Sequence, residues 1–191
     1  MIYICGFPRS GNMFLYSSLS SIYGVDEVDR PTHTILKLEE NVSAENNIVV
    51  PFRTPDKCIA SWALYRETIF PDHLHNVKFS IDDHISFYIR YMSECLNIKD
   101  NVLFLDFSKF TTNLDYLKNA IFDRYQIFSD SSLSVLDIES QMNENGLYLH
   151  LPSDNTEELE AYRQIVIENS RYDQVLDIYN QIKSIEEGIS E

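Results

Sequence analysis

Short continuous apolar runs alternate with longer amphipathic stretches along this chain. Residues 2 to 7 (IYICGF) form an apolar, β-branched and aromatic run; Gly11 to Tyr23 follows, with Leu15, Leu19 and Ile22 at helical spacing before Gly24 stops it. That order predicts strand, loop, helix. A second strand is predicted over His33 to Leu38. A third is predicted over Asn47 to Phe52 (NIVVPF), whose near-continuous apolar character suits a strand buried on both faces of a parallel sheet. Thr54, Pro55 and Asp56 then predict a helix start: a hydroxyl N-cap, proline at the first helical position and an acid against the positive end of the dipole.

Farther along, Ile85, Ile89, Met92 and Leu96 fall on one stripe of a predicted helix from Ile81 to Leu96, with Ser80 and Asp83 placed as a capping box. Residues 101 to 107 (NVLFLDF) read as another buried strand, and Leu114, Leu117 and Ile121 mark the helix after it. From Asp154 onward the chain reads as helical and acidic, with ten Asp or Glu against Arg163, Arg171 and Lys183. Strands alternating with helices predict an α/β fold, a doubly wound, mostly parallel sheet with right-handed crossovers and helices on both faces.

Composition narrows the function classes. With 191 residues, 44% of them hydrophobic, the chain can bury one sizeable core, so residues 1 to 191 are expected to form a single domain. A formal net charge of -15 with no basic tract excludes nonspecific attraction to nucleic acid or to an anionic membrane. Any anionic ligand therefore needs a local basic pocket. Cys5, Cys58 and Cys95 are widely spaced with no CxxC pair, which argues against a disulfide framework or a structural zinc site and fits a reducing cytosol. The amino-terminal run lacks a basic n-region and a cleavage site, and no apolar run approaches about 18 residues, so a cytoplasmic location is expected.

The candidate chemistry begins in the loop after the first strand. In GFPRSGNM, Gly6 and Gly11 keep the glycine spacing of a phosphate-cradling loop between strand and helix, where backbone N–H groups and the helix dipole favour an anion. Asn12 and Met13 stand where a nucleotide triphosphatase places the lysine that grips phosphates and the hydroxyl that holds magnesium. A cation sits instead inside the loop, at Arg9, whose planar guanidinium can grip phosphate or sulfate oxygens in bidentate fashion. The chemistry implied is anion binding without a metal. A second anion position is expected at Arg53, at the end of a buried strand and just before a helix start, with Ser61 about two helical turns beyond Thr54 on the same face.

With these two motifs in this order, the sequence resembles the sulfotransferases that use 3′-phosphoadenosine-5′-phosphosulfate (PAPS). Their phosphosulfate loop looks like Pro8-Arg9-Ser10-Gly11-Asn12 here, and their second motif looks like Arg53-Thr54-Pro55-Asp56 followed by Ser61. The resemblance implies a P-loop NTPase-like three-layer sandwich in which Arg9 and the amides from Ser10 to Met13 bind the 5′-phosphosulfate. By the same resemblance Arg53 and Ser61 bind the 3′-phosphate, and PAP is the product. Phe14 occupies the position of an aromatic that stacks near adenine in the family; its other reading is a core phenylalanine of the first helix. Thr32-His33 is similar to the family's Thr-His element carrying the catalytic base, and a histidine suits that task near neutral pH. Its other reading is a histidine satisfying the edge of the second strand.

The usable motifs lie within residues 1 to 66. Met13 departs from a hydroxyl residue common in the family, the Arg/Lys/Gly-rich carboxy-terminal segment of many members is not visible, and the stretch from Gly11 to His33 is very short. The expected reaction is in-line transfer of a sulfo group to a hydroxyl or amine of a small-molecule or glycan acceptor, with His33 taking the proton and Arg9 neutralising the departing phosphate. A P-loop kinase or NTPase, and a noncatalytic PAP- or nucleotide-binding domain, are the competing readings. His73 and His75 in PDHLHN, beside Asp72, lack further clustered ligands and read as a polar loop able to line an acceptor pocket, so no metal site is expected.

Overall fold

The computed structural model describes residues 1–44, 46–69, 79–147 and 157–188. Three strands, β1 (Ile2–Ile4), β2 (Asn47–Phe52) and β3 (Val102–Asp106), form a parallel sheet in the order β1-β2-β3. Ile4 pairs with Val49, and Val49 with Leu103, so the three carboxyl ends emerge together at one edge. Alternate residues of these strands face opposite ways. Ile48, Val50, Phe52, Val102 and Phe104 enter one core, and Ile2, Ile4, Val49 and Leu105 enter the other. Both faces are apolar, as the continuous hydrophobic runs require.

Helices cover each face. The first core is closed by α2 (Ile35–Ser43), α3 (Pro55–Ile69), α4 (Ile81–Asn97), α8 (Glu157–Ile167) and α9 (Tyr172–Glu186). On the other side lie α1 (Asn12–Tyr23), the short α5 (Phe107–Phe110), α6 (Leu114–Tyr125) and α7 (Val135–Glu144). The result is a three-layer α/β/α sandwich. No described helix is long and apolar enough to cross a membrane. His73, His75 and Asp72 lie outside the described residues, as does Asp154.

Most predicted elements are present, including the capping box in which Ser80 and Asp83 bond each other's backbone at the start of α4. Two differ. His33 to Leu38 is not a strand: Thr34 caps α2, its hydroxyl accepting from the Lys37 N–H, and Leu38 is buried with Ile35 and Val42 against the same core. Spacings of three and four residues among those apolar positions match a helix, and they extend beyond the six-residue window that suggested a strand. The edge of β1 is met instead by residues 28 to 32, through isolated parallel bridges from Val28 to Ile2 and from Thr32 to Cys5. The second difference is at α3, where the Thr54 carbonyl accepts from the Cys58 N–H but the Thr54 hydroxyl caps nothing and is buried without a partner.

Asp56, in the first turn of α3, receives two N–H groups of Arg163 on one carboxylate oxygen, at 2.9 and 2.8 Å, which ties α8 to the start of α3. Both side chains are largely buried, so removing one strands the other's charge. Asp56→Ala should therefore lower unfolding free energy by about 1–3 kcal/mol in urea denaturation. Removing the exposed partner Glu160, which also touches Arg163, should change it by less than about 1 kcal/mol.

Candidate functional site

The site is assembled at the carboxyl ends of β1 and β2, where a parallel sheet presents its connecting loops to ligands. Leaving β1, the chain turns through two left-handed residues, Arg9 at φ 65° and Gly11 at φ 93°. Gly11 suits that conformation and also the space: a Cβ there would lie 2.4 Å from the Phe107 ring. The turn is held from inside. Ser10 Oγ donates to the Phe7 carbonyl at 2.6 Å, and Asn12 Nδ2 donates to the same carbonyl at 2.8 Å. Cys58 Sγ on α3 donates to the Pro8 carbonyl at 3.2 Å, and burial pushes that thiol up to about 12. It is a packed hydrogen-bond donor, not a thiolate.

Helix α1 opens directly from this turn. Its N-cap, Gly11, supplies no side-chain hydrogen bond and its first turn contains no acid. The positive end of the dipole is therefore met by neither a capping side chain nor an acid of the first turn.

Arg9 reaches across to α3. Its Nε donates to Ser61 Oγ at 3.0 Å, and its guanidinium lies 5.1 Å from the centre of the Tyr65 ring. Because Ser61 accepts this bond, its own O–H remains a donor. Arg53, at the end of β2, lies with its guanidinium 4.5 Å over the Phe107 ring and makes no ion pair among the described residues. Both arginines have pKa values lowered from the usual range, chiefly by burial, and Arg53 further lowers that of Arg9. Net positive charge has been gathered into a partly desolvated place in a chain of net charge -15. The partnerless Thr54 hydroxyl stands in sequence beside Arg53.

His33 is fixed to the same turn. Its Nδ1 lies 2.7 Å from the Gly6 carbonyl oxygen. A carbonyl can only accept, so Nδ1 carries the hydrogen and the lone pair of the neutral ring sits on Nε2. Burial lowers the His33 pKa below 6.5, outweighing the opposing effect of the Gly6 bond. The ring is therefore neutral, with a free base nitrogen, at neutral pH.

The structure brings Pro8, Arg9, Ser10, Gly11, Asn12, Met13 and His33 into one turn-and-helix unit and joins Ser61 to it through Arg9. The sequence groups Ser61 with Arg53; its hydrogen bond goes to Arg9. Asn12 holds the loop from within. Phe14 is a correction: its ring is fully buried, 6.3 Å from Phe110, in the core under α1. A ring enclosed there has no face to offer an adenine, and its helical spacing with Leu15 and Leu19 is that of packing. Three contributors had not been singled out, namely Phe107, Tyr65 and Cys58. Tyr65 lies four residues beyond Ser61, hence on the same helix face, and Phe107 follows the last buried strand directly. Those positions were the available signals.

No family model and no curated protein matches this chain. Among solved structures it is similar to mouse sulfotransferase SULT7A1 complexed with PAP, at a TM-score of 0.55 and 12% sequence identity. The likeness covers 99% of this chain and 85% of that one. It shows the fold: a sulfotransferase-like α/β sandwich of P-loop type.

Since His33 binds its proton less readily folded than unfolded, the unfolded chain holds more protons between the two pKa values, and stability contributed by this group rises with pH there. The contribution is complete above about 6.5 and is lost as pH falls below it. In an NMR titration His33 should show a midpoint below 6.5 and, at neutral pH, the Nδ1–H tautomer.

Proposed function

We propose that this chain transfers the sulfo group of PAPS to a hydroxyl or amine of an acceptor. The observation that carries the reading is the junction of its two motifs: Arg9 of the first loop is hydrogen-bonded to Ser61 of the second, beside a helix N-terminus with neither acid nor cap. Arg9 and the first-turn amides of α1 hold the 5′-phosphosulfate. Arg53, with the partnerless Thr54 hydroxyl and the O–H of Ser61, holds the 3′-phosphate. These donors suit a doubly anionic nucleotide, since part-buried guanidinium groups attract phosphate oxygens and a partnerless buried hydroxyl can donate to one. The solved neighbour, a sulfotransferase complexed with PAP, supports the same donor.

The acceptor oxygen or nitrogen forms the new bond to sulfur while the sulfur–oxygen bond to the phosphate breaks, and PAP leaves with that electron pair. His33 Nε2 takes the proton released by the acceptor. Arg9 stabilises the charge that develops on the departing phosphate, so the chain's work is positioning and preorganised charge. Asn12 and Met13, in place of lysine and a hydroxyl, give no specific support to the nucleotide triphosphatase alternative.

A thermal shift series with PAP, with ATP plus magnesium and with neither tests the donor: PAP alone should raise the melting temperature. Stabilisation by ATP and magnesium without a response to PAP overturns the assignment. Arg9→Ala and Arg53→Ala should each weaken PAP binding about tenfold or more by calorimetry. His33→Ala should keep PAP affinity and lower kcat by roughly a hundredfold or more. The wild-type rate should be flat across neutral pH and fall on the acid side, below 6.5, as His33 protonates.

A further inference from the structure

Between α3 and the start of α4 lies a cavity of about 420 Å³ that the donor chemistry does not use. Its apolar lining is aromatic: Trp62 from α3, Phe79 before α4 and Phe87 within α4. Its cations are Arg66 and Arg90. The Arg66 guanidinium lies 5.4 Å from the Trp62 ring centre and 4.3 Å from that of Phe79, and its Nη2 is buried without a hydrogen-bond partner. Neither arginine makes an ion pair among the described residues. The acid in the wall, Asp83, is committed elsewhere, one carboxylate oxygen receiving the Ser80 N–H and hydroxyl. Burial and the nearby Arg66 push the His84 pKa down against the opposing pull of Asp83 and Glu67, so that imidazole is neutral and adds no charge to the cavity.

Two lines of ring contacts lead from this cavity to the donor turn. Phe87 lies 5.3 Å from Phe7, which belongs to the turn itself. Trp62 stacks on Tyr65 at 5.9 Å, and Tyr65 carries the Arg9 guanidinium. A volume of this size suits one small ring-bearing molecule. Flat aromatic walls favour a planar ligand, and an arginine nitrogen buried without an acceptor favours a ligand that brings its own negative charge.

We propose that this cavity is the acceptor site and that it takes a planar aromatic acceptor bearing an anionic group, such as a hydroxyaryl carboxylate. The assignment rests on the sulfo-transfer reading for its role, while the binding chemistry is independent of it. The ring lies among Trp62, Phe79 and Phe87, the anionic group meets Arg66 and Arg90, and the hydroxyl end is directed to the donor turn.

Trp62 is the chain's single tryptophan, so its fluorescence reports this cavity directly. On titrating the full chain with 4-hydroxyphenylacetate, excited at the red edge of the indole band, Trp62 emission should change, with an affinity about tenfold tighter than for 4-hydroxyphenylacetamide. In Arg66→Ala that preference should fall toward unity, and the exposed Arg90→Ala, which does not threaten folding, should reduce it as well. Equal affinity for acid and amide, or no change in Trp62 emission, overturns the inference. So does a tenfold preference that survives in the arginine variants that fold. If PAP binds and the acid does not, the cavity assignment fails and the donor reading stands. If the acid binds and PAP does not, the donor reading fails and takes the acceptor role with it.

Discussion

The left-handed turn at Arg9 and Gly11 is the constraint on which the site depends. An arginine at φ 65° is uncommon, since its Cβ crowds the following carbonyl, and such a conformation persists only where the surroundings fix it. Here they do. Ser10 and Asn12 bond the Phe7 carbonyl from inside, Cys58 bonds the Pro8 carbonyl from α3, and the Phe107 ring closes on Gly11 where no Cβ would fit. The turn sends the Arg9 side chain toward α3 and starts α1 without a cap. It also fixes the neighbouring Gly6 carbonyl, and that carbonyl sets the His33 tautomer.

The sheet supplies the rest of the geometry. Because β1, β2 and β3 run parallel and in register, their carboxyl ends deliver the Arg9 turn, Arg53 and Phe107 to one edge. Phe107 serves two partners there, lying under the Arg53 guanidinium and against Gly11. The two guanidinium groups are thereby brought near enough for Arg53 to lower the Arg9 pKa by repulsion. In a chain of net charge -15, that edge is a local concentration of positive charge.

Much of this was legible in the sequence because the relevant signals are local. The NIVVPF and NVLFLDF runs, the Ser80–Asp83 capping box and the glycine spacing around Arg9 each state their structure within a few residues. Residues 33 to 38 misled because a six-residue window cannot separate a β-branched run from the first turns of a helix whose apolar period becomes clear only at Val42. Contacts between distant segments were not legible at all. Nothing local says that Ser61 would bond Arg9, that Cys58 would brace Pro8, or that Arg163 would reach Asp56. Phe14 could be read either way from its position, and only the packing of α1 on Phe110 places it in the core.

In the proposed donor site, two guanidinium-bearing turns grip opposite ends of one adenosine bisphosphate. A crystal structure of the chain with PAP tests it most directly. The 5′-phosphate should lie at the first turn of α1 against Arg9 and the 3′-phosphate at Arg53 near the start of α3. Electron density for PAP at any other place, or with both phosphates away from these two arginines, would contradict it.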